Sequence, residues 1–335
     1  MQKAFSFRYP ESAGRNLAAL AYVLLGYGAA LFLITRPNIL LNAGGILLLA
    51  HSLVICAYFI HEFVHGSIFS RMADNDRGGA VMAWITGACF ASYSGLKEKH
   101  LRHHADRLDV ATFDYRDILL NAPAPVQKIV LALEWAYIPV VELLMHTLVV
   151  VAQYKGSPAM RRRASLLMAS RIAFFVALAA IAPRALVCYA IAYLIMLQVL
   201  RFMDAFQHTF DVYIAGSLAR PAAEKVRDRA YEQANTYSNV LSLSHPFLNL
   251  LTLNFAYHNA HHARPAVPWH DLPALHDQLY GTDETQVLTA RELFGSYHRN
   301  RVKRVLSPDY GMVALSGDRA HDFLGAVGVS FLTSV

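Results

Sequence analysis

The sequence contains few charged residues and very few cysteines. Asp, Glu, Lys and Arg together make up only 16% of its 335 residues, whereas soluble domains carry roughly a quarter. With 55% hydrophobic residues and a mean hydropathy of +0.31, this shortage of charge indicates a membrane protein. The three cysteines form neither a CxxC pair nor a disulfide framework, so we expect Cys56, Cys89 and Cys188 to be packing residues.

The chain also lacks any aromatic and basic motif that is typical of nucleic-acid binding. Its formal net charge of +6 comes from basic residues that flank apolar segments, such as Lys97, Lys99, Arg102 and residues 161–163. Cytoplasmic loops of membrane proteins have this pattern. We therefore expect no nucleic-acid partner. Lys97, Lys99 and Arg102 favour an anionic group, which belongs either to a substrate head or to membrane lipid.

Four apolar stretches are long enough to cross a bilayer. We predict spans at residues 17–35, 44–59, 164–182 and 184–201, with the helix of the second span continuing to His65. Basic residues before the first span and around the last two place these ends in the cytoplasm. The sequence therefore predicts an all-α integral membrane bundle of about four transmembrane helices, in a single domain over residues 1–335. From Gln207 the chain is more polar and is expected to form a cytoplasmic, histidine-rich cap.

Two other apolar stretches are harder to place. Residues 79–94 are too short to cross a bilayer and are predicted to dip into the membrane. Residues 127–154 contain Glu134, Glu142 and His146. Because charge at mid-bilayer is costly, we predict an interfacial or partly buried helix there. His51 lies inside the second span, and we expect it to be buried and hydrogen-bonded.

Histidine is the abundant residue, with 16 copies that occur in clusters. The first cluster is HEFVH at residues 61–65, which places His61 and His65 on one face of a helix. Taken alone, this HExxH pattern also fits a zinc protease with Glu62 as the general base. An interfacial pair of histidines is a further alternative for this cluster.

Two more clusters share one spacing. Residues 100–104, HLRHH, and residues 258–262, HNAHH, each place histidines at positions i, i+3 and i+4, on one side of a helix. A zinc protease would leave both triples unexplained. A lone histidine, His208, follows the last predicted span. The candidate metal ligands are His61, His65, His100, His103, His104, His208, His258, His261 and His262.

So many clustered imidazoles exceed the four ligands of one tetrahedral zinc. They suit two metal ions that prefer imidazole, and iron is the natural choice where oxygen is activated. Carboxylates near such a site orient the histidine rings. The candidates by sequence position are Asp106, Asp109, Asp114, Asp204 and Asp271.

The clusters HEFVH, HLRHH and HNAHH, in this order between paired spans, resemble the three histidine boxes of the membrane fatty acid desaturase superfamily, over about residues 40–280. The resemblance implies a four-span, mushroom-shaped helical fold with two non-haem irons on the cytoplasmic side. It implies that the eight box histidines are iron ligands, with molecular oxygen as co-substrate. His208 fits an additional histidine that many members place after the last span. Asp204 stands where acyl-CoA desaturases often carry Asn, and we predict a catalytic role for it.

We therefore expect a membrane-bound di-iron oxidoreductase that acts on a fatty acyl or similar lipid chain, and that is a desaturase. A hydroxylase, ketolase or fatty acid decarboxylase of the same superfamily is the alternative, because these outcomes differ by small shifts in substrate position. A non-catalytic membrane metal-binding or transport protein is an alternative of another class.

The resemblance also bears on partners and location. The sequence has no HPGG haem-binding segment and no CxxC pair. We therefore expect electrons from an external donor such as ferredoxin, rubredoxin or cytochrome b5. The expected location is the bacterial inner membrane, with the active site on the cytoplasmic side.

Overall fold

The computed structural model describes residues 5–215, 226–307 and 332–334. The described chain is mostly helical, and short 3-10 turns supplement its α-helices. The helices are α1 (Ala13–Ile34), α2 (Ile39–His65), α3 (Met72–Thr86), α4 (Tyr93–Asp106), α5 (Tyr115–Leu120), α6 (Ala124–Trp135), α7 (Val140–Lys155), α8 (Pro158–Ile181), α9 (Arg184–Asp204), α10 (Arg229–Ala234), α11 (His258–Ala263), α12 (Leu272–Tyr280) and α13 (Ala290–Asn300).

Four of these helices, α1, α2, α8 and α9, are long and apolar enough to cross a membrane. The side chain of Asn38 caps the start of α2, and Gly66 ends it with a φ of 64°, which favours glycine. Large apolar side chains such as Leu25 and Ile39 are exposed, as expected of helices that face lipid. The predicted all-α membrane bundle with about four transmembrane helices is confirmed.

The predicted helix over residues 127–154 is wrong in one respect, because the structure has two helices there. α6 and α7 meet at an angle of 117°. Tyr137 adopts a φ of 63° at the corner, and Pro139 lacks the N–H that a continuous helix requires. The charges that made this stretch hard to place form a buried triad, in which Arg201 at the end of α9 pairs with Glu134 and, at 3.4 Å, with Glu142.

Two pairs of short parallel strands add to the helices. β1 (Asp109–Ala111) pairs with β2 (Val212–Ile214), with Asp109 opposite Val212. β3 (Ser238–Val240) pairs with β4 (Val287–Thr289). The first pair joins the chain just after α4 to the chain just after α9, and so brings the second histidine box toward His208.

The described chain divides into two compact units. The first unit comprises Met1–Ser94 and His146–Val199, and the second comprises Gly95–Met145 and Leu200–Ser334. The single domain over residues 1–335 stays a prediction. In the first unit, His51 is half-buried rather than buried, and its Nδ1 lies 2.5 Å from the Tyr22 hydroxyl.

In the first unit, arginines on α8 donate to backbone carbonyl groups at the end of α3 and just after it. Arg171 donates to the carbonyl of Trp84 at 2.9 Å. Arg163 donates to the carbonyls of Cys89, Phe90 and Ala91. Because unsatisfied carbonyl groups are costly in an apolar environment, these bonds allow the chain to turn after a short helix.

Candidate metal centre

Short segments of the second unit hold seven of the nine predicted ligands. α4 carries the second histidine box and α11 carries the third. His208 follows α9 and forms an isolated bridge with Thr236. α4 ends because Arg107 adopts a φ of 53°, which turns the chain into β1 immediately after the box.

Four histidines converge in the first group, and all of them are buried. One ring nitrogen from each lies within 4.8 Å of the others. The Nε2 atoms of His208 and His258 are 2.7 Å apart, and those of His103 and His262 are 3.3 Å apart. A set of four facing imidazole nitrogens is a donor arrangement that suits a transition metal.

A second group lies beside it in the same unit. The Nε2 atom of His104 is 3.1 Å from that of His100 and 3.2 Å from that of His261. His104 is also close to the first group, since its ring centroid is 4.2 Å from that of His262. The two groups are therefore adjacent, as two neighbouring metal ions require.

The remaining predicted ligands are in the first unit. His61 and His65 lie on α2 with ring centroids 4.7 Å apart. Glu62 lies 3.4 Å from His61 Nδ1 and accepts a hydrogen bond from Ser67 at 2.6 Å. This environment suits a carboxylate that orients a histidine ring, rather than the general base of a zinc protease.

Hydrogen bonds fix the tautomers of two rings in the first group. His103 Nδ1 lies 2.8 Å from the carbonyl of Leu108, which can only accept, so this nitrogen carries the proton. His262 Nδ1 lies 3.1 Å from a carboxylate oxygen of Glu232, which has the same effect. Both Nε2 atoms therefore present lone pairs to each other across 3.3 Å. This contact is repulsive unless both nitrogens bind a cation, and the group therefore fits a metal ion.

The comparison with protein families identifies the family to which the chain belongs. The fatty acid desaturase model matches residues 37–294, which are 258 of the 335 residues. The chain belongs to the fatty acid desaturase family. The comparison with curated proteins gives no significant match. Membership confirms the resemblance carried by the histidine boxes and makes the protein an integral membrane oxidoreductase that acts on lipid.

The carboxylates around the desaturase histidines were only partly predicted. Asp109 lies 3.4 Å from His103 Nδ1, as expected of an orienting group. Three further candidate carboxylates contact residues other than the predicted ligands, and Asp204 is described with the cavity below. Asp106 pairs with Arg102, Asp114 caps α5 and Asp271 contacts His270.

Glu232 on α10 was missed by the sequence analysis. One oxygen contacts His262, and the other lies 3.1 Å from Arg107 Nε. Arg107, which follows the second histidine box, thus contacts the carboxylate of Glu232. That carboxylate orients His262 of the third histidine box. Glu62 was flagged only as a protease base, although its position beside His61 could have suggested an orienting role. Glu232 carries no comparable sequence signal.

A small cavity opens beside the first group. Its volume is about 50 Å³, and Asp204 and Gln207 line it together with several of the histidines. Asp204 does not orient His208, because His208 Nδ1 faces Thr236 Oγ1 at 3.4 Å. Phe255 and Val110 supply apolar wall. Asp204 is therefore placed to contact what enters the cavity.

Burial sets the electrostatics of the cavity wall. It lowers the pKa of Lys99 to about 7, which the charges of Asp204 and Asp109 partly oppose. Burial raises the pKa of Asp109 to about 8, and the charge of Asp204 raises it further. It also holds the pKa of His208 well below its usual range, with neighbouring histidines adding to the effect. His208 is therefore a neutral imidazole, the form that binds metal.

Lys99 does not have the role expected of it. Its ammonium group is buried and donates to Thr112 Oγ1 and to the carbonyl of Thr333, each at 3.0 Å. It therefore anchors the chain near residue 333 instead of presenting charge to an anionic head group. Of the other two cations, Arg102 is paired with Asp106 at 3.3 Å.

We predict that Glu232→Ala lowers metal affinity about 10- to 100-fold, because a ring that loses its orienting carboxylate binds metal more weakly. Glu232→Gln should retain more affinity, since the amide oxygen can still accept from His262 Nδ1. Iron titration of the purified apoprotein measures both. The matched control is Glu292→Ala on α13, where the carboxylate forms a capping box with Thr289. Equal affinities for wild type and Glu232→Ala would contradict the assignment.

Proposed function

We propose that this desaturase-family protein introduces a double bond into a fatty acyl chain with a di-iron centre. The observation that carries the proposal is the pair of adjacent histidine groups, with His103 and His262 presenting opposed lone pairs at 3.3 Å. The proposed ligands are the nine predicted histidines. A donor set of imidazoles without thiolate suits iron better than structural zinc.

The bound irons would supply the reduction of oxygen and the attack on unactivated C–H bonds. The chain itself orients and encloses the centre. Glu232 and Asp109 hold the rings of His262 and His103. Burial of the whole first group excludes bulk water, which would compete for the ligands and the reactive species.

The proposed reaction has a defined balance. Two C–H bonds on neighbouring carbons break, and a C=C bond forms. Molecular oxygen takes up these two hydrogen atoms, two electrons and two protons, and two water molecules are released. The electrons come from an external one-electron carrier such as ferredoxin, rubredoxin or cytochrome b5. We place the reaction on the cytoplasmic side of a bacterial inner membrane.

Product analysis tests the proposal. The protein is expressed in an iron-replete host with a defined lipid pool, and total fatty acids are compared by mass spectrometry with those of a host that expresses His103→Ala. We expect products that lack two hydrogen atoms only with the intact protein. A hydroxylated or ketone product, or a terminal alkene, would instead identify the corresponding oxidase of the superfamily. Bound iron without any new product would favour a metal-binding protein.

We predict that Asp204→Asn lowers turnover at least about 10-fold while iron content stays near the wild-type value. Asp204 lines the cavity without bonding to His208, so its loss should affect the bound substrate or a proton more than the metal. Iron content and product formation are measured on the same preparation. Asp106→Asn is the control, because Asp106 pairs with Arg102 outside the cavity. Unchanged turnover in Asp204→Asn would remove Asp204 from the catalytic residues.

A further inference from the structure

An uncharged segment of the second unit presents apolar side chains outward. Residues 242–252, SLSHPFLNLLT, contain no Asp, Glu, Lys or Arg, and Pro246–Thr252 form a 3-10 helix. The exposed fractions are 64% for Phe247 and 48% for both Leu250 and Leu251, with Leu243 at 38%. Four exposed large apolar residues within nine positions form a patch that a water-facing surface rarely keeps.

The segment is braced so that these side chains cannot fold inward. Asn249 is fully buried beneath it. Its side chain accepts from the backbone N–H of Leu241 at 2.7 Å and donates to the carbonyl of Ser242 and to the hydroxyl of Tyr257, each at 3.0 Å. The outward direction of Phe247 and its neighbours is therefore fixed by the buried amide between them.

The segment begins beside the end of a membrane span. Just before it, the side chain of Asn239 donates to the carbonyl of Met203 at 2.6 Å, in the last turn of α9. Val240 and Met203 also belong to one apolar cluster. The chain that leads into the segment is thus packed against the last turn of α9.

A second element presents apolar surface next to the same turn. Phe294 on α13 is 63% exposed, and its ring centroid lies 6.5 Å from that of Phe202 in α9. Exposed apolar groups on two elements beside one turn of a span favour contact with lipid, because the acyl region of the bilayer is the apolar phase next to a span.

We propose that residues 242–252 insert into the interfacial layer of the bilayer and form a membrane contact of the cap beside the end of α9. Phe247, Leu250 and Leu251 would enter the acyl boundary. The serines and His245 would remain at the level of the lipid head groups, as in interfacial amphipathic segments. The contact does not depend on the reaction that the metal centre catalyses.

Collision measurements on a spin label test this proposal. Phe247→Cys is labelled with a nitroxide in the full-length protein, reconstituted in bilayers of phosphatidylethanolamine and phosphatidylglycerol. The native cysteines, Cys56, Cys89 and Cys188, are buried and should not compete for label. Oxygen concentrates in lipid and a nickel chelate in water, so we expect the label to collide several-fold more with oxygen than with nickel.

The control is Thr282→Cys, at an exposed position beside Asp283 and Glu284, where nickel collisions should prevail. Leu251→Cys provides a second position and should give the same result as residue 247. Nickel access at both test positions would overturn the proposal. Spin–spin coupling between labels, with neither collider having access, would also overturn it by identifying a second copy of the chain as the occupant.

Discussion

His103→Ala is expected to abolish turnover and to lower bound iron from about two per chain to about one or fewer. The substitution removes one of four converging ring nitrogens. It also leaves Asp109 and the carbonyl of Leu108 without the ring that they hold. Loss of an orienting group alone costs roughly 10- to 100-fold in metal affinity, so loss of the ligand should cost more than about 100-fold. Iron analysis and product formation on purified protein measure the effect.

The control for this loss is His276→Gln. His276 is also buried, but it packs against Tyr257 and Tyr280 and belongs to none of the histidine groups found among the described residues. We expect it to keep its iron and its turnover even if it unfolds more easily. Full activity of His103→Ala would remove His103 from the ligand set, and equal losses in both variants would show a general effect of losing a buried imidazole.

Arg201→Met is expected to destabilise the protein by about 3–5 kcal/mol, because it leaves two buried carboxylates without their cation. Arg201, Glu134 and Glu142 are each at most 5% exposed. Glu134 also accepts from the backbone N–H of Val141 at 3.0 Å, so the triad fixes the corner between α6 and α7. Thermal unfolding in detergent, followed by circular dichroism, measures the change.

Two comparisons make this result specific. The combination of Arg201→Met, Glu134→Gln and Glu142→Gln should recover most of the lost stability, since the cation and the two carboxylates of the triad are removed together. Arg102→Met removes a half-exposed partner of Asp106 and should cost at most about 1 kcal/mol. A triple variant less stable than Arg201→Met alone would show that the charges themselves stabilise the corner.

The spans and the histidine boxes were predictable because both depend on spacing within short stretches of sequence. Apolar stretches of about twenty residues identify membrane helices, and histidines three and four positions apart share a helix face. His208 was predicted as a ligand from its place after the last span. That role stays a prediction, and the structure places its Nε2 atom 2.7 Å from that of His258.

The rest depends on contacts between residues far apart in the chain. Glu232 reaches His262 from another helix, and Arg107 reaches Glu232 across 125 positions. The Lys99 ammonium group donates to the carbonyl of Thr333, which is 234 positions away. The bend between α6 and α7 is signalled locally by Pro139, but its stabilising ion pair with Arg201 is not. Periodicity and motif spacing contain no information on such pairs.

The second unit consists of two stretches that are far apart in the chain, and this affects the order in which its parts are synthesised. Gly95–Met145 is synthesised well before Leu200–Ser334, so the second histidine box leaves the ribosome before the third. At roughly 5–20 residues per second, the intervening chain takes on the order of 10–30 s to translate. During this time the box holds only part of a ligand set. Productive loading with metal must therefore follow the emergence of α11, and a shortage of metal at that moment would leave the centre incomplete.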